Sequence, residues 1–164
     1  MTPDISDSFL NIQSYEIARS DSPSLTRKHG VAVYVHNDLK FEIVDCYVDN
    51  VLVIYLCDYD LYVVNVYRPP SNSLQDNEIL IDFLLCFCSG KEIILQGDFN
   101  LPSLNWKLED VLSEYVTPLD NTFFEAFISA GLEQIVKEST FFPSGTILDL
   151  FFTTDSDRIG NCKL

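Results

Sequence analysis

The chain has 164 residues, 47% of them hydrophobic, which is one domain's length with ample material for a core and excludes a disordered segment. Ten Lys+Arg against 25 Asp+Glu leave a formal net charge of −15 and a pI near 4.2. Long-range attraction to polyanions is thereby excluded, and binding of nucleic acid must rely on metal ions or a local basic patch.

The five cysteines include no Cys-x-x-Cys pair, and several sit in apolar runs as buried thiols do. The N-terminus is polar, and the most apolar stretch, residues 79–88, is short and broken by Asp82. These features predict a reduced intracellular protein, nuclear or cytoplasmic, neither secreted nor embedded in a membrane.

Residues 1–29 are weakly patterned, with loop signals at residues 21–24 and 27–30. The first clear strand is predicted at residues 31–35, and a second at 41–44. Residues 51–57 and 61–67 flank the turn Asp58-Tyr59-Asp60 and predict an antiparallel hairpin. Arg68-Pro69-Pro70 stops the second of these strands, because proline donates nothing to a ladder.

Residues 74–88 carry apolar side chains at helical spacing, and Ser89-Gly90 ends that helix. A strand at 92–96 runs into Gly97-Asp98-Phe99-Asn100. A polar segment at 102–116 contains Trp106, which reads as a packing residue. Thr117-Pro118 reads as an N-cap with proline at N1, opening a helix at 119–130. After a loop at 140–145, residues 147–152 read as the last strand, and residues 154–164 as a polar tail. Hairpin-linked early strands alternating later with helices predict an α/β or α+β sandwich with a mixed sheet.

Two residues at the end of the 92–96 strand stand out. In an extended segment, side chains two apart point the same way, so Asp98 and Asn100 are expected on one side with Phe99 opposite. A carboxylate and an amide suit a hard metal ion and a phosphate oxygen. Gly, Asp and Asn are also ordinary turn residues, and both readings stand on these residues alone. Asp149 lies in an apolar run, where a carboxylate requires a partner or a function. Arg68 is read as a phosphate contact or as the partner of a carboxylate, with the acidic excess favouring the second. His29 and His36 read as loop residues, and Cys86 and Cys88 as helix core.

Taken together, these motifs resemble the endonuclease/exonuclease/phosphatase superfamily with its DNase I-like fold. Gly97-Asp98-Phe99-Asn100 is similar to its Gly-Asp-(Phe/Leu)-Asn signature, Tyr67-Arg68-Pro69-Pro70 to its strand-end Tyr-x-Pro element, and Ile147-Leu148-Asp149-Leu150 to its late acidic strand. The narrower resemblance is to the endonuclease domain of LINE-type non-LTR retrotransposons. It rests on Tyr15, Arg19 and Asp21, on the 30–35 segment Gly-Val-Ala-Val-Tyr-Val, on Trp106 following the signature, and on Thr140-Phe141-Phe142, and it spans roughly residues 12–160.

The resemblance implies a Mg²⁺- or Mn²⁺-dependent endonuclease that nicks DNA, with a reverse transcriptase domain downstream in the intact element. Asp98 would orient or deprotonate the attacking water, Asn100 bind the scissile phosphate, and Tyr67 position it. Asp149 would orient a histidine, and Thr140 contact the phosphate backbone. The family's metal-binding Glu, expected before Tyr15, and its Ser-Asp-His histidine, expected after Asp149, have no counterparts in residues 1–164, so Asp98 is the one implied metal contact. The expectation is therefore a domain truncated at both ends, with impaired hydrolysis. The alternatives are a catalytically dead retroelement relic or a non-enzymatic interaction module, and, more remotely, a phosphatase acting on small phosphoesters.

Overall fold

The computed structural model describes residues 9–21, 29–107, 115–142 and 144–159. The expected loop residues 22–28, part of the 102–116 segment, Pro143 and the end of the tail with Cys162 lie outside the described residues. Among the described residues ten elements follow in order: β1 (Tyr15–Asp21), β2 (Gly30–His36), β3 (Phe41–Val44), β4 (Val51–Leu56), β5 (Leu61–Tyr67), α1 (Leu74–Cys88), β6 (Ile93–Asp98), α2 (Pro118–Ser129), β7 (Glu133–Gln134) and β8 (Asp149–Thr153). A short 3₁₀ turn, Ser156–Arg158, follows within the expected polar tail.

β1 and β2 form an antiparallel pair, and the remaining strands form a six-stranded sheet in the order β3-β4-β5-β6-β8-β7. Within it β5 and β6 run parallel, joined by α1 as a crossover, and the other pairs are antiparallel. Strand alternation divides the core in two. Val53, Val64, Val66, Ile93, Leu95 and Phe152 face the helices, meeting Leu80, Phe83 and Leu84 of α1 and Phe123 and Phe127 of α2. Leu52, Ile54 and Val63 face the opposite way, onto Ala18, Val31 and Val35 of the β1–β2 pair. The mixed sheet is therefore covered by helices on one face and by a small sheet on the other.

Both helices start as the sequence predicts. The Ser73 and Asp76 side chains close a capping box on α1, and Thr117 caps α2 ahead of Pro118. Strand β1 departs from expectation. Of its seven residues only Ala18 is buried, so its sequence carries little alternation, and its pairing with β2 decides its conformation. β7 is a two-residue edge strand with no periodicity to read. The thiols also differ from expectation: Cys57 and Cys86 are exposed, and Cys88 is buried. Cys86 lies with Asp82 and Leu85 on the solvent side of α1, so an apolar run did not imply burial there.

Candidate functional site

The site is built at the ends of β5, β6 and β8. The parallel register places Tyr67 opposite Asp98, and the antiparallel register places Asp149 opposite Asp98. Cross-strand partners project from the same face of a sheet, so these three side chains form one row, about 10 Å from the first Cα to the last. The sheet ladder continues past the row: Arg68 N–H donates to Asp98 O at 2.8 Å, and Phe99 N–H to Leu148 O at 3.0 Å.

Gly97 is what lets β6 come this close to β5. Its φ is +143°, and a Cβ there would lie 1.8 Å from the carbonyl oxygen of Val66. The glycine thus sits inside β6, which extends to Asp98, and not in a turn as the sequence suggests. Phe99 is fully buried, with its ring edge-on to Phe127 and Phe152. The extended alternation expected through Asn100 is broken, because Asn100 has φ +49°. Asparagine accepts that left-handed conformation readily. Its backbone N–H closes an Asx-type turn on Asp98 Oδ1 at 3.1 Å, and its Nδ2 donates to Arg68 O at 3.0 Å.

Among the described residues Arg68 makes no ion pair with a carboxylate, and its side-chain partners are neutral acceptors. It is buried, with 4% exposure. Its NH1 donates to Phe99 O at 2.9 Å and to Asn100 O at 3.0 Å, its Nε donates to Asn77 Oδ1 at 2.8 Å, and its guanidinium stacks over Phe123. It braces the Phe99–Asn100 backbone from behind. Burial pulls its pKa down, and the nearby charges of Asp120 and Asp98 oppose that. The Tyr-Arg-Pro-Pro string marked this position as unusual, but its partner Asn77 on α1 carries no local signal.

Asp98 is partly buried, and burial pushes its carboxyl above the ordinary carboxylate value. The charge of Asp149 adds to the rise, while hydrogen bonds from the Asn100 backbone and side chain and the charge of Arg68 oppose it. Asp149 is exposed, so the burial argument made from its apolar run does not apply; what places it in the site is its register opposite Asp98. Thr140 Oγ1 accepts from Leu148 N–H and Asp149 N–H, both at 3.0 Å. Those bonds occupy both acceptor sites of the hydroxyl, so its remaining capacity is one O–H donor.

His29, read from the sequence as a loop residue, lies with its ring 5.2 Å from that of Tyr67. No motif signalled this contact, which depends on the small sheet folding over the large one. Trp106 is a packing residue, buried among Phe124, Phe127 and Phe152. Among the described residues there is no group of three or more His, Cys, Asp or Glu side chains arranged to hold a metal, and no helix is long and apolar enough to cross a membrane.

The family model described as endonuclease-reverse transcriptase matches residues 61–164, a span that includes Tyr67, Asp98, Asn100, Thr140 and Asp149. The chain belongs to this family. Among solved structures, the endonuclease domain of TRAS1, a telomere-specific non-LTR retrotransposon, superposes with a TM-score of 0.65 at 15% identity, covering 88% of this chain and 67% of that one. At that identity the likeness concerns the fold, and the family's DNase I-like α/β architecture is the one this chain adopts. No curated protein matches the sequence.

Proposed function

We propose that the row at the sheet end is the water- and phosphate-handling part of a divalent-metal-dependent phosphodiesterase site that nicks DNA. The observation that carries the reading is the register: it puts Tyr67, Asp98 and Asp149 side by side, with Asn100 tied to Asp98. In-line attack on a phosphodiester needs an activated water, donors for the non-bridging oxygens, and positive charge.

Asp98 orients the attacking water; in the ion's absence its raised pKa suits it to take the water's proton, and with the ion held on its carboxylate it would act by positioning alone. Tyr67 donates its phenol to a non-bridging oxygen, and the free O–H of Thr140 serves another. Asn100 keeps one Nδ2 hydrogen on Arg68 O and gives the other to the phosphate. The P–O bond to the leaving strand end breaks as the water oxygen adds. Asp149 positions whatever group supplies the leaving oxygen's proton.

The donor set fits a magnesium-like ion in kind. Mg²⁺ takes one or two carboxylates with waters and substrate oxygens rather than a full protein cage. Asp98, whose charge Asp149 disfavours, is the carboxylate that would hold it. The ion would offset charge on the phosphate. A downstream reverse transcriptase domain in the intact polypeptide and an intracellular location belong to this same reading.

A second reading, a non-enzymatic module or relic, is favoured by the net charge of −15, which opposes DNA binding. Conversion of supercoiled plasmid to open circle by the purified chain in Mg²⁺ or Mn²⁺ separates the two. Slow nicking that Asp98→Ala reduces to buffer background supports the hydrolytic reading. Nicking that survives Asp98→Ala removes Asp98 from the chemistry, and none at all under enzyme excess leaves the non-enzymatic reading. Hydrolysis of inositol phosphates in place of DNA would reassign the substrate.

A further inference from the structure

Two thiols open on one small cavity. It measures about 230 Å³ and lies between α1 and the irregular segment 45–50 that joins β3 to β4. Phe83, Cys86 and Phe87 line it from α1, and Cys46 and Tyr47 line it from the segment. The three α1 residues are spaced three and four apart, so they share one face of the helix. Rings hold the two walls together: Phe83 stacks on Phe87 with centroids 5.1 Å apart, and Tyr47 meets Phe83 edge-on at 6.3 Å. Lys91, whose Nζ stands 4.5 Å over the Phe87 ring, and Asp45 give the lining one charge of each sign.

The thiols differ in reactivity and in freedom to move. Cys86 is exposed and Cys46 half-buried, and burial pushes the Cys46 thiol above its ordinary value. An incoming reagent therefore meets Cys86 first. Cys86 is fixed within α1, whereas Cys46 lies outside the sheet ladders, between β3 and β4. A disulfide needs Cα atoms about 4.4–6.8 Å apart, and the segment 45–50 supplies the approach that this requires. The same segment leads to the row. Tyr47 also walls a cleft of about 320 Å³ that opens beside Tyr67, and Asn50 O accepts from Tyr67 N–H at 3.0 Å.

We infer that Cys46 and Cys86 are a thiol–disulfide exchange site, closed by a small zwitterionic disulfide such as that of glutathione, and that closure displaces the segment 47–50 beside Tyr67. The Cys86 thiolate attacks one sulfur of the small disulfide, forms a mixed disulfide and releases a small thiolate. That thiolate takes the Cys46 proton. The Cys46 sulfur then attacks the Cys86 sulfur, forms the Cys46–Cys86 bond and releases the second small thiol. Two protein thiols are oxidised, one small disulfide is reduced, and both protein protons end on the small thiols. Excess thiol reverses the two steps. The consequence for nicking rests on the phosphodiesterase reading of the row, and the exchange itself does not.

The test treats the whole reduced chain with glutathione disulfide, quenches with acid and maps the peptides by mass without reduction. The expected result is a Cys46–Cys86 cross-link, while Cys57, exposed at the β4–β5 turn, carries glutathione. In Cys46→Ser, Cys86 should keep its glutathione. A second measurement needs no variant. Phenylarsine oxide, which bridges two thiols, should shield Cys86 from iodoacetamide even after a wash with excess monothiol, and leave Cys57 open. Glutathione retained on Cys86 equally in the unaltered chain and in Cys46→Ser, or an arsenical that the monothiol strips from Cys86, overturns the site. Backbone amide NMR reads the link to the row. Asn50 and Tyr67 should shift on closure and return on reduction, and shifts that stay unchanged there overturn the displacement. Plasmid nicking is read separately and should slow on closure. Closure with those shifts but without Asp98-dependent nicking in the reduced chain would fault the phosphodiesterase reading alone, and equal nicking by the reduced and closed chains would fault the displacement alone.

Discussion

Replacing Arg68 by methionine tests whether the site is braced from beneath. The guanidinium gives three hydrogen bonds of 2.8–3.0 Å, to Asn77 Oδ1, Phe99 O and Asn100 O. Methionine keeps the apolar stem and a contact with Phe123 but leaves all three acceptors without that donor. Bonds from a charged donor contribute about 1.5–3 kcal/mol each. Relief from burying the charge returns part of that, because an ion's desolvation costs several kcal/mol. The net expectation is a loss of about 3 kcal/mol, a large share of the roughly 5–15 kcal/mol that holds a domain folded. For a chain of this size that corresponds to a fall in Tm of about 10 °C. Thermal unfolding followed by circular dichroism measures it. Arg68→Lys should recover less than half, since one ammonium cannot reach three acceptors that surround a fork. A Tm for Arg68→Met within about 2 °C of the unaltered protein would refute the bracing argument.

Asp98 should cost stability at neutral pH. Its folded pKa is raised, so the native state holds the proton more tightly than the unfolded chain. Its contribution is complete below the ordinary aspartate value and is lost as pH rises through the raised one. Asp98→Asn should therefore unfold at higher temperature than the unaltered protein at pH 7, with the gap closing towards about pH 3. A gap that widens on acidification would contradict the direction of the shift. Mg²⁺ at ten times its Kd should stabilise the unaltered chain by about 1.4 kcal/mol and Asp98→Asn by much less; equal effects would place the ion elsewhere. Thr140→Val removes the acceptor for Leu148 and Asp149 N–H and should cost about 2 kcal/mol in urea unfolding. Thiol labelling by iodoacetamide should reach the exposed Cys57 and Cys86 in the native protein. It should spare Cys88, whose thiol burial pushes up to about 12, until the chain unfolds.

Much of this architecture is legible along the chain because its signals are local. The α1 boundaries follow from helical spacing over residues 74–88 and the Ser89-Gly90 stop, and the β4–β5 hairpin from β-branched runs around a tight turn. β1 was not legible, because a strand with one buried residue shows no alternation. The sequence signals end β6 two residues short, because glycine ordinarily ends a strand, and here the neighbouring β5 backbone is what requires it.

The motif residues Tyr67, Asp98, Asn100, Thr140 and Asp149 were all named from the sequence. How they sit was not. The sequence determines which chemistry is available: a carboxylate, an amide, a phenol and a second carboxylate at the ends of three strands, within an endonuclease-reverse transcriptase family chain. Tertiary structure alone decides that these strands are neighbours in one register and that Arg68 turns inward to hold the Asn100 turn. It also brings His29 and Asn50 to Tyr67. The physical reason is separation along the chain. Strand propensity and capping act over a few residues, whereas Arg68 with Asn100 and His29 with Tyr67 meet only when two sheets and a helix layer have packed.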